Sequence, residues 1–309
     1  MNQALDPTAR ARKNETPLRR PAIHLAFCFG MTVALTGCPP PPVVIRPYPA
    51  PNAAELLSDV RKSQAKVQSM KLYAKADVPD DGGGRVKLDV SIAVKRPAQL
   101  RLTAESTLTG PLLTLATDGQ RFQLLDAQNN RYLSSVVTPC SMARLLRVAL
   151  PPSILADVLS GGVPLLPPDS LTVQSDWDEK EGGREVIKLR DPEGRRQVLY
   201  LQPSEPGQAQ SRSFDVVESE LSDRDGKPFL RIRHQKFAPV QTDPMPADPV
   251  RLPKQSTIED LTSHTEVKLR WKETEVNPAL DATLFYLPQP VGIPTDPDPC
   301  VPAAAAKSP

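Results

Sequence analysis

Few side chains in this sequence stand at spacings that do chemistry, and Cys38 is the clearest of them. Leu35-Thr36-Gly37-Cys38 closes a segment that starts with Arg10, Arg12, Lys13, Arg19 and Arg20 and continues from Ala22 to Leu35 without a charge. A basic stretch, an apolar stretch of about 14 residues and small residues before a cut are the parts of a secretory signal peptide. A helix needs about 20 apolar residues to span a bilayer, so the segment reads as a removable address. Histidine could ligate a metal, yet beyond residue 37 only His234 and His264 occur, neither at ligand spacing from a cysteine or another histidine. Both read as solvated strand residues. There is no Gly-x-Ser-x-Gly elbow, and Gly82-Gly83-Gly84 precedes a strand pattern rather than the helix that a phosphate loop requires. Asp176, Asp178, Glu179 and Glu181 read as an exposed turn. The chain is therefore not expected to be an enzyme, and no metal or cofactor is expected beyond lipid on Cys38.

A leucine, two small residues and a cysteine resemble the bacterial lipobox. That resemblance implies a diacylglycerol on the Cys38 thiol, cleavage before Cys38, and acylation of the new amine. Two or three acyl chains, at about 0.8 kcal/mol per buried methylene, hold a protein to a membrane where one does not. The alternative on the residues alone is a secreted protein with a chance cysteine at its cleavage site. Pro39 in place of aspartate after the cysteine resembles lipoproteins released to the outer membrane. The expected location is therefore the outer membrane, lipid-anchored and facing the periplasm.

Removing the five basic and two acidic residues before Cys38 leaves 33 basic against 34 acidic side chains, a net charge near −1. With aromatics at 5%, neither electrostatics nor base stacking favours nucleic acid as a partner. Cys28 departs with the leader, so Cys140 and Cys300 remain. Outside the cytoplasm these two either pair with each other or stay as a buried thiol and an exposed one.

The elements follow from periodicity. Residues 1–37 are the signal peptide, and 38–51, dense in proline, read as an extended stalk rising about 3.1 Å per residue. Asn52 and Glu55 cap a helix carrying Leu56, Leu57, Val60, Val67 and Met70 on one stripe. From Leu72 the period becomes two, and a run of short alternating segments continues to Val137. Pro139 and Pro151-Pro152 each open a short apolar helix, the second stopped by Gly161-Gly162, and alternation resumes from Leu171 to Glu275. So many one-faced strands and so few helices predict a mainly β (α+β) domain over 52–288. Its form is a strongly curved antiparallel sheet or incomplete β-barrel of about 11–12 strands, with an N-terminal helix and a central helical pair on the concave face. Residues 289–309 read as a flexible Pro/Ala-rich tail.

Several strings resemble the LolA/LolB-like lipoprotein family, most closely its outer-membrane lipoprotein receptors. They are Leu100-Arg101-Leu102, Leu108-Thr109-Gly110 followed by Leu112-Leu113-Thr114-Leu115, Asn130-Arg131-Tyr132, Pro151-Pro152 with 154–162, and Leu252-Pro253 with 256–260 and 267–269. The resemblance covers about residues 53–288. It implies a receptor that accepts acyl chains of other lipoproteins from a periplasmic LolA-like carrier and inserts them into the outer membrane, the receptor itself acting as a monomer. Leu108 matches the leucine of the family's membrane-insertion loop; the alternative is a turn leucine folded back on the core. Candidate cavity residues are the inward alternating set Val90, Ile92, Leu100, Leu102, Leu113, Leu115, Phe122, Leu124, Leu145, Leu155, Leu159, Val267, Leu269 and Trp271, for each of which plain core is the first reading and ligand contact the second. A second function class remains: an envelope structural or sensing lipoprotein of the same fold that holds a protein partner or another hydrophobic ligand.

Overall fold

The computed structural model describes residues 44–80, 82–106, 110–179, 182–204, 213–241 and 249–300. Helix α1 (Ala53–Ala65) starts where Asn52 Oδ1 accepts the N–H groups of Ala54 and Glu55, at 2.9 and 3.2 Å. A meander follows: β1 (Ser69–Pro79), β2 (Arg85–Lys95), β3 (Gln99–Ser106), β4 (Gly110–Thr117), β5 (Arg121–Asp126) and β6 (Arg131–Val136). Thr138 and Ser141 cap each other's backbone to begin α2 (Pro139–Leu146), and α3 (Pro152–Leu159) follows. A second meander comprises β7 (Thr172–Asp178), β8 (Arg184–Arg190), β9 (Arg196–Pro203), β10 (Phe214–Ser222) and β11 (Pro228–Gln235). A two-strand ribbon, β12 (Ala238–Pro239) with β13 (Arg251–Leu252), precedes β14 (Gln255–Asp260), β15 (Thr265–Val276), a 3-10 turn (Ala282–Phe285) and β16 (Thr295–Asp296).

The two meanders join because β15 pairs with β1, giving one 14-stranded sheet in the order β16-β6-β5-β4-β3-β2-β1-β15-β14-β11-β10-β9-β8-β7. Every pairing in it is antiparallel except β16 on β6. This is the curved antiparallel sheet with few helices that the alternation predicts. Its strand number exceeds the expected 11–12, in part through β16, whose two residues are too short for any alternation to announce.

Directly paired residues share a face, so the register assigns sides. Ala76, Leu269, Ser256 and His234 form one inward row across β1, β15, β14 and β11. Two of the helices cover that inward face: α3 lies over β2 and β3 with Leu155, Ala156, Val158 and Leu159 buried, and α1 lies over β7 and β10 with Leu56, Leu57 and Val60 buried. One apolar cluster runs from Leu56 on α1 through both meanders to Trp271, and Val67 and Met70, expected on the helix stripe, lie beyond the helix, Met70 on β1.

The C-terminal segment corrects the expectation of a flexible tail, as far as residue 300. On the outward face of β4–β6 the alternation presents Ala116, Leu125 and Tyr132 where polar residues are due, and Leu287 and Ile293 from the tail pack on them. Tyr132 Oη donates to Leu287 O at 2.8 Å, Phe285 is buried, and β16 pairs with Tyr132 and Leu133. Asp296 holds Arg131, Asp298 lies 3.6 Å from Arg144, and Cys300 is disulfide-bonded to Cys140 on α2. The tail thus covers a second, small apolar patch that the helices cannot reach. Exposing that patch is costly, which is why proline-rich chain becomes ordered here.

Since the strap is held by local contacts as well as by the disulfide, its loss should be local. In the double variant Cys140→Ser, Cys300→Ser, amide exchange is expected to speed up over 287–296 while β1 and β2 keep their protection, measured by hydrogen–deuterium exchange.

Candidate functional site

The inward face beneath α2 and α3 gathers the cavity candidates. Val90, Ile92, Leu100, Leu102, Leu115, Phe122, Leu124, Leu155, Leu159, Val267, Leu269 and Trp271 are all buried in the same apolar cluster, with Leu113 partly buried against it. Leu145 lies on α2, but its side chain is outside the described residues, as are Leu108 and Cys38 altogether. Among the described residues these side chains pack against one another in that cluster. A pocket of only about 40 Å³ lies where α1 and the end of α3 meet β10 and β13. Among the described residues the inward face is therefore an apolar surface covered by a cap of α1 and α3.

Polar groups on the inward register fasten that cap, and reading the histidines as solvated missed the central one. His234 is 1% exposed; Nε2 lies 2.8 Å from Gly162 O and Nδ1 lies 2.8 Å from Ser256 Oγ. The signal was there, because His234 continues the inward series Leu230, Ile232. Burial removes the imidazolium's hydration and pushes its pKa down to about 4, against an opposing pull from the Gly162 carbonyl. Gln197, likewise on the inward register of β9, donates to Pro164 O at 2.6 Å and accepts from Leu166 N at 3.0 Å. Together the two side chains bind the strand-like exit from α3 to the second meander.

The turn between α3 and that exit depends on Gly161. Its φ is +80°, and a Cβ there would sit 2.7 Å from Leu252 Cδ2 and 3.1 Å from Pro253 Cδ, so only glycine fits. At the other side of α3, Arg96 Nη1 meets Asp157 Oδ1 at 2.9 Å. Burial raises the Asp157 carboxyl above its ordinary range, although Arg96 pulls it down. Desolvation outweighs attraction in this pair, which makes it a weak fastening.

A third device corrects the stalk. From Val44 the chain is no free spacer but lies against the second meander: Trp177 Nε1 donates to Val44 O at 2.7 Å, and Tyr48 packs edge-on against Trp177 and Phe214. Arg46 stacks over the Trp177 ring, 5.2 Å from its centroid, and grips Glu185 at 2.9 Å. The Glu185 side chain is fully buried, and burial holds its carboxyl above the usual range despite Arg46 and Tyr48. Proline density alone reads as extended spacer; the interleaved Val44, Arg46 and Tyr48 find partners only on the folded sheet.

No family model matches the chain, and no curated protein matches it. Among solved structures it is similar to a LolA superfamily protein from Nitrosomonas europaea, with TM-score 0.49, 12% identity, and coverage of 77% of this chain and 99% of that one. It is similar to a domain described as an outer membrane lipoprotein-sorting protein from Vibrio parahaemolyticus, with TM-score 0.49, 9% identity, and coverage of 76% and 97%. It is also similar to a DUF1329 family protein from Desulfovibrio piger, with TM-score 0.51, 10% identity, and coverage of 75% and 96%. At identities this low the likeness is one of fold.

The buried imidazole makes stability depend on acid. Between the ordinary histidine value of 6.5 and the folded value of about 4 the unfolded chain binds a proton that the folded chain refuses, so stability is full above 6.5 and falls as pH drops through that window. The expected contribution is about 3 kcal/mol across the window. Urea unfolding of the native chain and of His234→Gln at successive pH values should show a smaller acid loss in the variant.

Proposed function

We propose that this chain is a lipid-anchored envelope lipoprotein that binds acyl chains rather than catalysing a reaction, and that it serves as an outer-membrane receptor and insertion factor for other lipoproteins. The observation that supports this most is the inward face itself. A continuous apolar surface spans β1–β5 and β15, and α3 covers part of it with Leu155, Val158 and Leu159. Lifting those three side chains costs about 2 kcal/mol each. An acyl chain of about 15 methylenes, at about 0.8 kcal/mol each, gains about 12 kcal/mol on leaving water. Cargo can therefore replace the cap, whereas water cannot. Arg96–Asp157, a pair in which burial outweighs attraction, is the fastening that opening would break first.

The packed interior favours a second reading, an envelope structural or sensing lipoprotein whose sheet holds a protein partner. The two part on binding of a fluorescent triacyl lipopeptide. Asp157→Asn should loosen α3 and tighten that binding several-fold, because apparent affinity scales with the population of the open form. Leu108→Glu should impair insertion of lipoproteins without altering folding. Depletion in the native organism should leave other lipoproteins in the periplasm or inner membrane; unaltered sorting together with no lipopeptide binding would sink the receptor and leave the second reading.

A further inference from the structure

The outward face is covered unevenly. The tail lies over β4–β6, whereas the outward residues of β1, β15, β14 and β11 have no cover among the described residues and line a trough of about 1260 Å³. Its rows follow from the register: Lys75, Arg270, Gln255 and Gln235 in one, Asp77, Lys268, Thr257 and Arg233 in the next. Eight basic and four acidic side chains line it in a mature chain whose overall net charge is near −1. Several basic groups are neutralised locally, as Arg251 is by Asp215 at 3.0 Å and Lys268 by Glu266 at 2.9 Å. Lys87, Lys236 and Arg270 are exposed and make no ion pair among the described residues. At the same end, the buried Ser204 Oγ has no hydrogen-bond partner among them.

The position of this trough relative to the start of the folded chain gives it a partner. Val44 is fixed by Trp177 on the inward side of the edge strand β7, and the next residue, Asp178, on its outward side, holds Arg184, which lines the trough, so the chain need only pass round that edge; the Arg184 Nη2–Asp178 Oδ2 distance is 2.6 Å. Five residues separate Cys38 from Val44, and the six steps between them span no more than roughly 21 Å. Attraction between exposed charges fades over about 8 Å at physiological salt, so a short tether that holds a basic face near a charged membrane strengthens its contact with it.

We infer that the trough docks on the phosphate-bearing headgroups of the membrane that carries the Cys38 lipid, so that the sheet's outward face lies toward the bilayer surface. The unpaired cations Lys87, Lys236 and Arg270 supply the attraction, and the Arg184 end is the part closest to the tether. The orientation rests on the lipid-anchored reading of Cys38, whereas the headgroup contact does not depend on acyl binding under α3.

The test uses the mature chain with Cys38→Ser, which bears no lipid, in co-sedimentation with vesicles of phosphatidylcholine alone or mixed with phosphatidylglycerol. Binding is expected only to the anionic vesicles and should fade in high salt. Each basic side chain near a surface contributes about fivefold, so Lys87→Gln, Lys236→Gln and Arg270→Gln together should weaken it roughly hundredfold. The melting temperature should not change, because all three side chains are exposed. Equal binding to both vesicle types, or full binding by the triple variant, overturns the proposal. So does capture of a soluble polyglutamate peptide with no vesicle binding, which would assign the trough to a protein partner. Mass spectrometry of the lipid on native Cys38 reads the anchor separately, so a failure there is distinguishable from a failure of the trough.

Discussion

A sheet of fourteen strands has two faces, and the cost of leaving its apolar rows in water governs everything else in this molecule. Three short helices cannot cover so wide a surface as a flat layer. Curvature solves the problem by letting the two meanders turn their inward rows toward one another, with β1 paired to β15 as the seam. The helices then close what the sheet leaves open, α3 over the first meander and α1 over the second. Because the cover is made of separate pieces, each needs its own fastening, and the fastenings are polar: His234 and Gln197 on the exit from α3, and Arg96 on its side.

The chain ends do work of the same kind. Residues from Val44 fix themselves to β7 and β8 through Trp177 and Glu185, and the segment leading to Cys300 covers the outward patch around Tyr132 and ties back to α2 through the disulfide. Beside β6, β16 also occupies a strand edge that would otherwise be free to pair with another chain. Both segments are proline-rich because neither has to form regular secondary structure; each needs only a fixed path with a few side chains at contact points. The consequence for function is geometric. A docked N-terminal segment leaves a short tether, so the proposed lipid anchor constrains the domain's distance from the membrane much more tightly than a free stalk would.

The two faces therefore differ in character. The inward face is apolar and closed, suited to a cargo whose own hydrophobic gain can displace a helix. The outward face is divided between a part covered by the tail and a polar part where Lys87, Lys236 and Arg270 make no ion pair among the described residues. Proposed cargo binding and proposed headgroup contact thus rest on opposite faces of the sheet, the first on its apolar inward rows and the second on the exposed cations of its outward rows.

Sequence alone determined what depends on neighbours along the chain. Period-two alternation placed the strands and their inward residues, Asn52 and the paired prolines placed the helix starts, and glycines placed the turns, because these are set by local dihedrals and side-chain direction. Inward placement of Val90, Leu102, Phe122 and Val267 was legible for that reason. Tertiary structure alone decided whether those side chains would line a void or fill it, since that depends on how closely helices far away in sequence approach. It also decided that His234 is a buried fastening rather than a solvated residue, that Arg46 meets Glu185 across 139 positions, and that the tail has a patch to cover. Each of those outcomes rests on contacts between distant segments, whose energy exists only once the sheet has brought them together.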